Sequence, residues 1–214
     1  MYHHICIFGA DGRTGTHVVD ACLAHNHTIT AAVYDNTYTN LDPKTIRVVS
    51  GDIQNPQTAM CAITSDTTAV ISALGHIKGS DALMQTNGIT NIIAAMRHHG
   101  VRRLVSLTGT GVRQDGDSIP WYDHLGNFII GKIDPKRIAD GATHVDAIQG
   151  SDLDWTILRV LKLTDNNHAD GYTLSPNGPV SPTSPRKRVA EILVDLAISD
   201  AYVHHMPIDT KSNH

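Results

Sequence analysis

Three regularly spaced glycines follow the first apolar run of the chain. Residues 5–8 read as a buried strand, Gly9, Gly12 and Gly15 come next, and a helix-length segment begins at residue 15. Gly9 allows a tight exit from the strand, Gly12 lets backbone N–H groups approach a diphosphate, and Gly15 lets the helix pack closely on the sheet. The helix N-terminus adds N–H donors that suit an anion. The pattern predicts a dinucleotide-binding loop.

The elements around this loop alternate between short apolar runs and amphipathic, helix-length segments, which is typical of a parallel sheet with crossover helices. The predicted strands are 5–8, 28–34, 46–49, 69–74, 103–107 and 155–160, and the predicted helices are 15–24, 80–99 and 186–199. Residues 109–135 give little periodic signal. The proline-rich stretch 164–185 is expected to be a substrate-side loop. The expected fold is a three-layer, doubly wound, Rossmann-like α/β domain that spans residues 1–214, with a small C-terminal cap from 164–185 and the late helix.

Composition excludes several other classes. The 214 residues carry 17 Lys and Arg against 21 Asp and Glu, a formal charge of -4, so nucleic acid is not an expected partner. No apolar run approaches the roughly 20 residues of a membrane span. Three widely spaced cysteines fit a reducing, cytoplasmic setting and are expected in the core. The adjacent histidine pairs 3–4, 98–99 and 204–205, together with His25 and His27, are expected at the solvated surface, and no metal site is expected.

Several short motifs carry a family resemblance along nearly the whole chain. The loop from Gly9 to Gly15 is close to the GATGxTG loop of the atypical short-chain dehydrogenases with NAD(P)-binding Rossmann domains. The segments 51–53, 72–75, 91–96, 100–105, 151–159 and 184–190 follow with the family's order and spacing. Within that family the sequence resembles most closely the NmrA-like proteins and the biliverdin-IXβ and flavin reductases.

The resemblance implies roles for residues at the ends of the predicted strands. Asp52 and Ile53 match the family element that touches adenine, and Ala73, Leu74 and Gly75 match the end of strand four that lies along the ribose and nicotinamide. In the glycine loop we expect flanking contacts to the cofactor from Asp11, Arg13 and Thr14.

The residues after the second strand decide between NAD and NADP. Asp35 lies 20 residues beyond Gly15, near the distance expected for a carboxylate that accepts from a ribose 2′-OH, which favours NAD. If Tyr34 occupies the reading position instead, Arg13 is available as a bidentate partner for a 2′-phosphate. NADP(H) is weakly favoured over NAD(H), and the choice stays open.

No tyrosine of the chain has a lysine four residues after it, so the Tyr-x-x-x-Lys pair of most short-chain dehydrogenases is missing. An alcohol–ketone dehydrogenase is therefore not expected. After strand five, Thr108 keeps the first hydroxyl of the family's usual pair, while Gly109 replaces the second. Thr110 and His76 are the other candidate proton donors, with the alternatives that the threonines satisfy loop backbone and that His76 is an ordinary loop residue.

These observations favour an NAD(P)H-dependent oxidoreductase that passes a hydride to a small flat acceptor, such as a flavin or a quinone, since such a transfer needs orientation more than a dedicated proton donor. The alternative is an NmrA-like protein that binds NAD(P) and senses redox state without turnover. The expected partner is a small-molecule acceptor, with no nucleic acid or membrane, and the oligomeric state is left open.

Overall fold

The computed structural model describes residues 2–34, 45–76, 79–166 and 172–210 of the chain. Within them the strands are β1 (His4–Phe8), β2 (Thr28–Val33), β3 (Ile46–Ser50), β4 (Ala69–Ser72), β5 (Arg103–Gly109), β6 (Asp154–Val160), β7 (Leu163–Thr164), β8 (Thr173–Ser175), β9 (Ser184–Pro185) and β10 (Ile208–Thr210). The helices are α1 (Gly15–Ala24), α2 (Pro56–Ala62), α3 (Met84–His99), α4 (Trp121–Ile133), α5 (Pro135–Gln149) and α6 (Arg186–Ala197).

Eight strands form one sheet in the order β3-β2-β1-β4-β5-β6-β10-β8. The pairs from β3 to β10 are parallel, and β8 pairs antiparallel with β10 at one edge. The Rossmann-like α/β fold predicted from the sequence is confirmed. The chain order reverses between β1 and β4, and in such sheets ligands bind at this reversal, beside the carboxyl ends of the strands.

Alternate residues of β1 serve the two faces of the sheet, because side chains of a strand point to opposite sides. Ile5 and Ile7 join the core with α1 and α6, whereas Cys6 and Phe8 join the core with α2, α3 and α5. The late helix α6 packs against α1 and so lies in a layer of the domain. The segment before it adds β8 to the sheet edge and pairs β9 with β7.

Helix α4 lies within residues 109–135, where the periodic signal is weak, and α5, which follows it, is also absent from the predicted elements. The large apolar side chains of α4 are exposed, whereas Asp123 is buried, so the hydrophobic pattern of this helix does not match its buried face. α5 begins with Pro135 after Asp134, whose side chain accepts a hydrogen bond from the Arg137 N–H. The start of α3 at Met84 is also four residues later than predicted.

The expectations for cysteine and histidine hold in part. Cys6 and Cys22 are buried as predicted, but Cys61 is exposed on α2 because its position lies on the outer face of that helix. His27 is buried rather than solvated. Within the described residues, no helix has both the length and the apolar character needed to cross a bilayer.

Candidate functional site

The glycine loop joins β1 to α1 at the sheet reversal, and its geometry admits no side chain at two positions. Gly9 has φ +74°, and a Cβ there would lie 3.0 Å from the Ala73 carbonyl oxygen at the end of β4. A Cβ on Gly15 would lie 1.9 Å from the Gly9 carbonyl oxygen. The first turn of α1 is thus pressed against the exit of β1, which is the close approach that the glycine pattern predicts.

The backbone of the loop forms a compact turn. The Gly12 N–H donates to the Gly9 carbonyl at 3.0 Å, and the Thr16 N–H donates to the Gly12 carbonyl at 3.0 Å. Thr14 precedes α1 and is buried, and its side chain makes no capping hydrogen bond. Helix N-termini carry N–H groups without helical partners, so this end of α1 is suited to an anion. The cradle therefore fits the diphosphate of a dinucleotide.

Two side chains of the loop already have partners. The Asp11 carboxylate accepts from the Tyr34 N–H at 2.9 Å, so Asp11 ties the loop to the end of β2, where the Tyr34 side chain is exposed. Arg13 pairs with Asp165, which also pairs with Arg186 at the start of α6. The guanidinium of Arg13 is thus turned toward the β7–α6 side. Position 35, where an NAD-reading carboxylate is predicted, lies outside the described residues.

The two predicted adenine residues lie together after β3 but have different surroundings. Asp52 is exposed, and its carboxylate accepts from the Gln54 N–H at 2.9 Å. Ile53 is buried in the core, where it packs on Gly88 of α3. The Ile53 side chain is 8% exposed, so only its outer edge is open to a ligand, and most of it packs against α3.

The end of β4 runs beside the glycine loop, as predicted. The Ala73 N–H donates to the Phe8 carbonyl at 3.0 Å, and the Leu74 carbonyl accepts from the Gln85 side chain at 2.9 Å. Gly75 follows and is exposed. These residues form the wall that a ribose and nicotinamide would face in a Rossmann domain.

His76 ends this wall and lies next to a buried carboxylate of α5. Its Nε2 is 2.8 Å from Oδ2 of Asp140, and the His76 side chain is 12% exposed while that of Asp140 is fully buried. Asp140 also accepts from the N–H groups of Gln85 and Thr86, at 2.9 and 3.0 Å, and from the Thr86 hydroxyl at 2.5 Å. Asp140 is not among the predicted site residues, because no helix is predicted over 135–149.

The electrostatics of Asp140 follow from those hydrogen bonds. Burial alone would raise the pKa of the Asp140 carboxyl, but the donors from Thr86, Gln85 and His76 outweigh burial and hold that pKa below its usual value. Asp140 is therefore an ionised acceptor at neutral pH. It also satisfies two backbone N–H groups in the first turn of α3, as a capping side chain does.

Thr108 lies close to the same turn of α5. A Cβ on Gly141 would lie 3.8 Å from the Thr108 hydroxyl oxygen, and Gly141 is the residue after Asp140. His76, which follows β4, and Thr108, near the end of β5, therefore both lie beside the same turn of α5.

Thr110 does not share this site. Its side chain is buried, its hydroxyl donates to Asp123 at 2.6 Å, and Asn127 donates to that hydroxyl at 3.2 Å. Because the hydroxyl is enclosed in this network, the geometry favours the structural alternative for Thr110 over a role as proton donor. It links the end of β5 to α4.

His144, one turn after Asp140, is a second buried histidine of this region. Its Nε2 is 2.9 Å from the Ser106 hydroxyl oxygen on β5, and burial lowers its pKa, although the nearby Gln85 carbonyl and Asp140 oppose that shift. At neutral pH His144 is uncharged and packs α5 on the sheet. Among the described residues, no three His, Cys, Asp or Glu side chains gather to hold a metal ion.

An open depression of about 640 Å³ lies at the opposite, amino-terminal edge of the strands, lined in part by Tyr2, Arg102 and Asp154. It contains none of the predicted site residues. The chemistry-bearing side chains lie instead at the carboxyl ends of β1, β4 and β5, and that edge is the better candidate site.

Comparisons with known proteins agree with this geometry. A family model described as NAD(P)H-binding matches residues 9–200. An uncharacterized chloroplastic protein of Arabidopsis thaliana is 24% identical over 212 residues, covering 92% of this chain and 72% of that protein. Two solved structures share the fold. A short-chain dehydrogenase/reductase from Veillonella parvula in complex with NADP has 18% identity and a TM-score of 0.80, covering 100% of this chain and 96% of that one. The anaerobilin reductase ChuY from Escherichia coli has 19% identity and a TM-score of 0.76, covering 96% and 97%.

Proposed function

Because the chain belongs to the NAD(P)H-binding family, we propose that it is a reductase that passes a hydride from NAD(P)H to a small flat acceptor, such as a flavin, a quinone or a related conjugated compound. The observation that carries this proposal is the glycine cradle, in which a Cβ at residue 15 would lie 1.9 Å from the Gly9 carbonyl oxygen. The cofactor supplies the hydride when it is bound.

In this proposal the ends of different strands contact different parts of the cofactor. Gly9, Gly12, Gly15 and Thr14 hold the diphosphate, and the wall formed by 73–75 lines the ribose and the nicotinamide. Asp52 and the rim of Ile53 lie on the adenine side, beside β3. Asp11 positions the end of β2, to whose Tyr34 N–H it is bonded.

The preference for NADP over NAD rests on Arg13. Its partner Asp165 is exposed, and surface ion pairs contribute little, so a phosphate can replace that carboxylate at small cost. A guanidinium binds phosphate in a bidentate manner, which favours NADP. Tyr34 and Asp35 remain the residues that would read the ribose, and Asp35 would favour NAD. An Arg13→Gln variant distinguishes the two, since the loss of affinity should be larger for NADPH than for NADH.

A conjugated acceptor suits the side chains at the candidate site. The chain has no Tyr-x-x-x-Lys pair, and the Thr110 hydroxyl is enclosed by Asp123 and Asn127. Hydride addition to a conjugated acceptor depends mainly on orientation within the site. The fold neighbour named as an anaerobilin reductase supports this class of reaction by analogy of fold alone. Three cysteines without a disulfide suit the cytoplasmic location that we propose.

The second candidate is a redox sensor that binds NAD(P) and turns nothing over. It is favoured by Gly109, which stands where the family usually carries its second hydroxyl, at the exposed end of β5. The two candidates share the cradle and differ only in whether an acceptor is reduced.

One assay separates them. NADPH and NADH oxidation is followed by absorbance with FMN, menadione and dichlorophenolindophenol as acceptors, alongside a measurement of cofactor binding. Acceptor-dependent oxidation is the expected result. Binding without oxidation for every acceptor would establish the sensor, and no binding would remove both candidates.

A further inference from the structure

We propose that Asp140 is a positioning residue for His76: it fixes the imidazole with a hydrogen on Nε2, so that Nδ1 of His76 delivers a proton to the acceptor. The inference rests on the proposed reductase function and deepens it. It assigns to that site an acceptor whose reduction takes up a proton inside the protein, together with the hydride.

The orientation follows from the donors around Asp140. Both carboxylate oxygens accept hydrogen bonds: Oδ1 from the N–H and hydroxyl of Thr86, and Oδ2 from the N–H of Gln85. The remaining bond joins Oδ2 to Nε2 of His76 at 2.8 Å. An ionised carboxylate can only accept, so Nε2 must carry the hydrogen. That leaves Nδ1 as the nitrogen that can exchange a proton.

The location makes this proton useful. His76 follows directly on the 73–75 wall, whose first residue touches the glycine loop through Gly9. Thr108 lies by the same turn of α5 as Asp140. His76 and Thr108 both lie on the side of the carboxyl ends of the strands, where an acceptor would bind in a Rossmann domain.

A purely structural role for Asp140 explains only part of the arrangement. The bonds from Gln85 and Thr86 satisfy the start of α3, as a capping side chain does. They do not require a histidine at position 76, whose ring remains 12% exposed at the site edge. The bond between Oδ2 and the imidazole is the feature that capping leaves unexplained.

The proposed step conserves protons and electrons. The acceptor gains a hydride from the reduced cofactor and a proton from the Nδ1–H of the His76 imidazolium. The imidazole is then neutral, with its remaining hydrogen on Nε2 toward Asp140, and solvent restores the proton. The net change is uptake of two electrons, from the hydride, and two hydrogens by the acceptor, with oxidation of the nicotinamide.

Other groups around His76 must be considered in any pH profile. α5 contributes the titratable groups Asp140 and His144, and His144 faces Ser106 rather than His76. α3 contributes the uncharged Gln85 and Thr86, and β5 contributes Thr108. Of the described groups of this cluster, His76 is the one to which we assign the proton transfer.

The first test needs no activity. Nitrogen-15 NMR of the histidine rings, assigned with a His76→Gln variant, reports which nitrogen carries hydrogen. We expect the Nε2–H form of His76 in the wild type and a shift to the Nδ1–H form in Asp140→Asn, whose amide donates to Nε2. A wild type with hydrogen on Nδ1, or an Asp140→Asn variant with no change, would overturn the positioning role.

The second test is the pH dependence of kcat with the best acceptor. A proton donor that acts in turnover gives kcat an alkaline limb in the wild type. His76→Gln should lower kcat by about 100-fold and abolish that alkaline limb, and Asp140→Asn should lower kcat by about 10-fold or more. The KM for NADPH should change by less than about twofold in both, because neither residue is assigned to cofactor binding.

Thr86→Val is the matched control. It removes the hydroxyl that donates to Asp140 at 2.5 Å and leaves the His76 bond in place. It should lower thermal stability but keep the wild-type pH limb and the Nε2–H form. A wild type that turns over while His76→Gln keeps both its rate and its alkaline limb would overturn this inference alone. If none of the acceptors supports NAD(P)H oxidation by the wild type, the proposed function is overturned. The NMR result would still decide the orientation of His76.

Discussion

Replacing Gly15 by alanine is the perturbation that the structure constrains most tightly. The added Cβ would lie 1.9 Å from the Gly9 carbonyl oxygen and 2.8 Å from the Ala10 Cα, so α1 and the loop must separate by about 1.5 Å to reach ordinary contact. Backbone atoms cannot rotate away as a side chain can. We expect a loss of about 3 kcal/mol in the free energy of unfolding, the upper end of overpacking effects.

The same displacement should weaken cofactor binding. If two N–H bonds to the diphosphate are lost at about 1.5 kcal/mol each, the dissociation constant rises by about 100-fold. Urea unfolding and calorimetric titration with NADPH measure the two effects. Gly131→Ala is the matched control, because Gly131 lies within α4 and a Cβ there would meet the Ile138 side chain at an ordinary contact distance of 3.5 Å. The Gly131→Ala protein should be slightly more stable than the wild type. A Gly15→Ala protein with wild-type stability and wild-type affinity would refute the cradle.

Three further changes test other parts of the structure. Arg159→Met should cost about 3–5 kcal/mol in urea unfolding, because it strands the buried carboxylate of Asp117; a cost below about 1 kcal/mol would contradict the pair. Burial raises the pKa of Asp117, but its bonds to Arg159 and neighbours outweigh burial and lower that pKa. The stabilisation from Asp117 should therefore be full above about pH 4 and be lost as the pH falls through the lowered pKa. Acid titration of the wild type and of Arg159→Met compares the two. Thr110→Val should lose about 1–3 kcal/mol of stability and keep kcat, whereas a selective loss of kcat would restore the catalytic assignment. Asp165→Asn should lower the dissociation constant for NADPH by about two- to five-fold in fluorescence titration, since it frees Arg13; an unchanged constant would show that the pair does not compete.

The parts of the fold that the sequence predicts best are those with local physical causes. The glycine loop and α1 are specified by neighbouring residues, and α1 has the predicted bounds Gly15–Ala24. Buried parallel strands are continuous apolar runs, so β1 and β5 are recognised, with differences of one or two residues at their ends. Helix α4 escapes prediction because its apolar residues, among them Trp121 and Ile133, face outward and follow no burial pattern.

The sequence predicts the residues of the candidate site that lie in or directly after a single strand. Wall 73–75 and His76 follow β4 directly, and Thr108 lies within β5. Asp140 is recognised as part of the site only through its contacts with His76, 64 residues earlier in the chain, and with the start of α3. Such a partner emerges only from the packing of α5 on α3. Sequence spacing also cannot show that the Thr110 hydroxyl is enclosed by Asp123.

The most direct measurement of the central claim is calorimetric titration of the wild-type chain with NADPH and NADH, because every role proposed for these residues requires a bound dinucleotide. We predict saturable binding of at least one cofactor with a dissociation constant between about 1 μM and 1 mM, the range common for enzyme substrates. No heat from either cofactor at concentrations above about 1 mM would contradict the account.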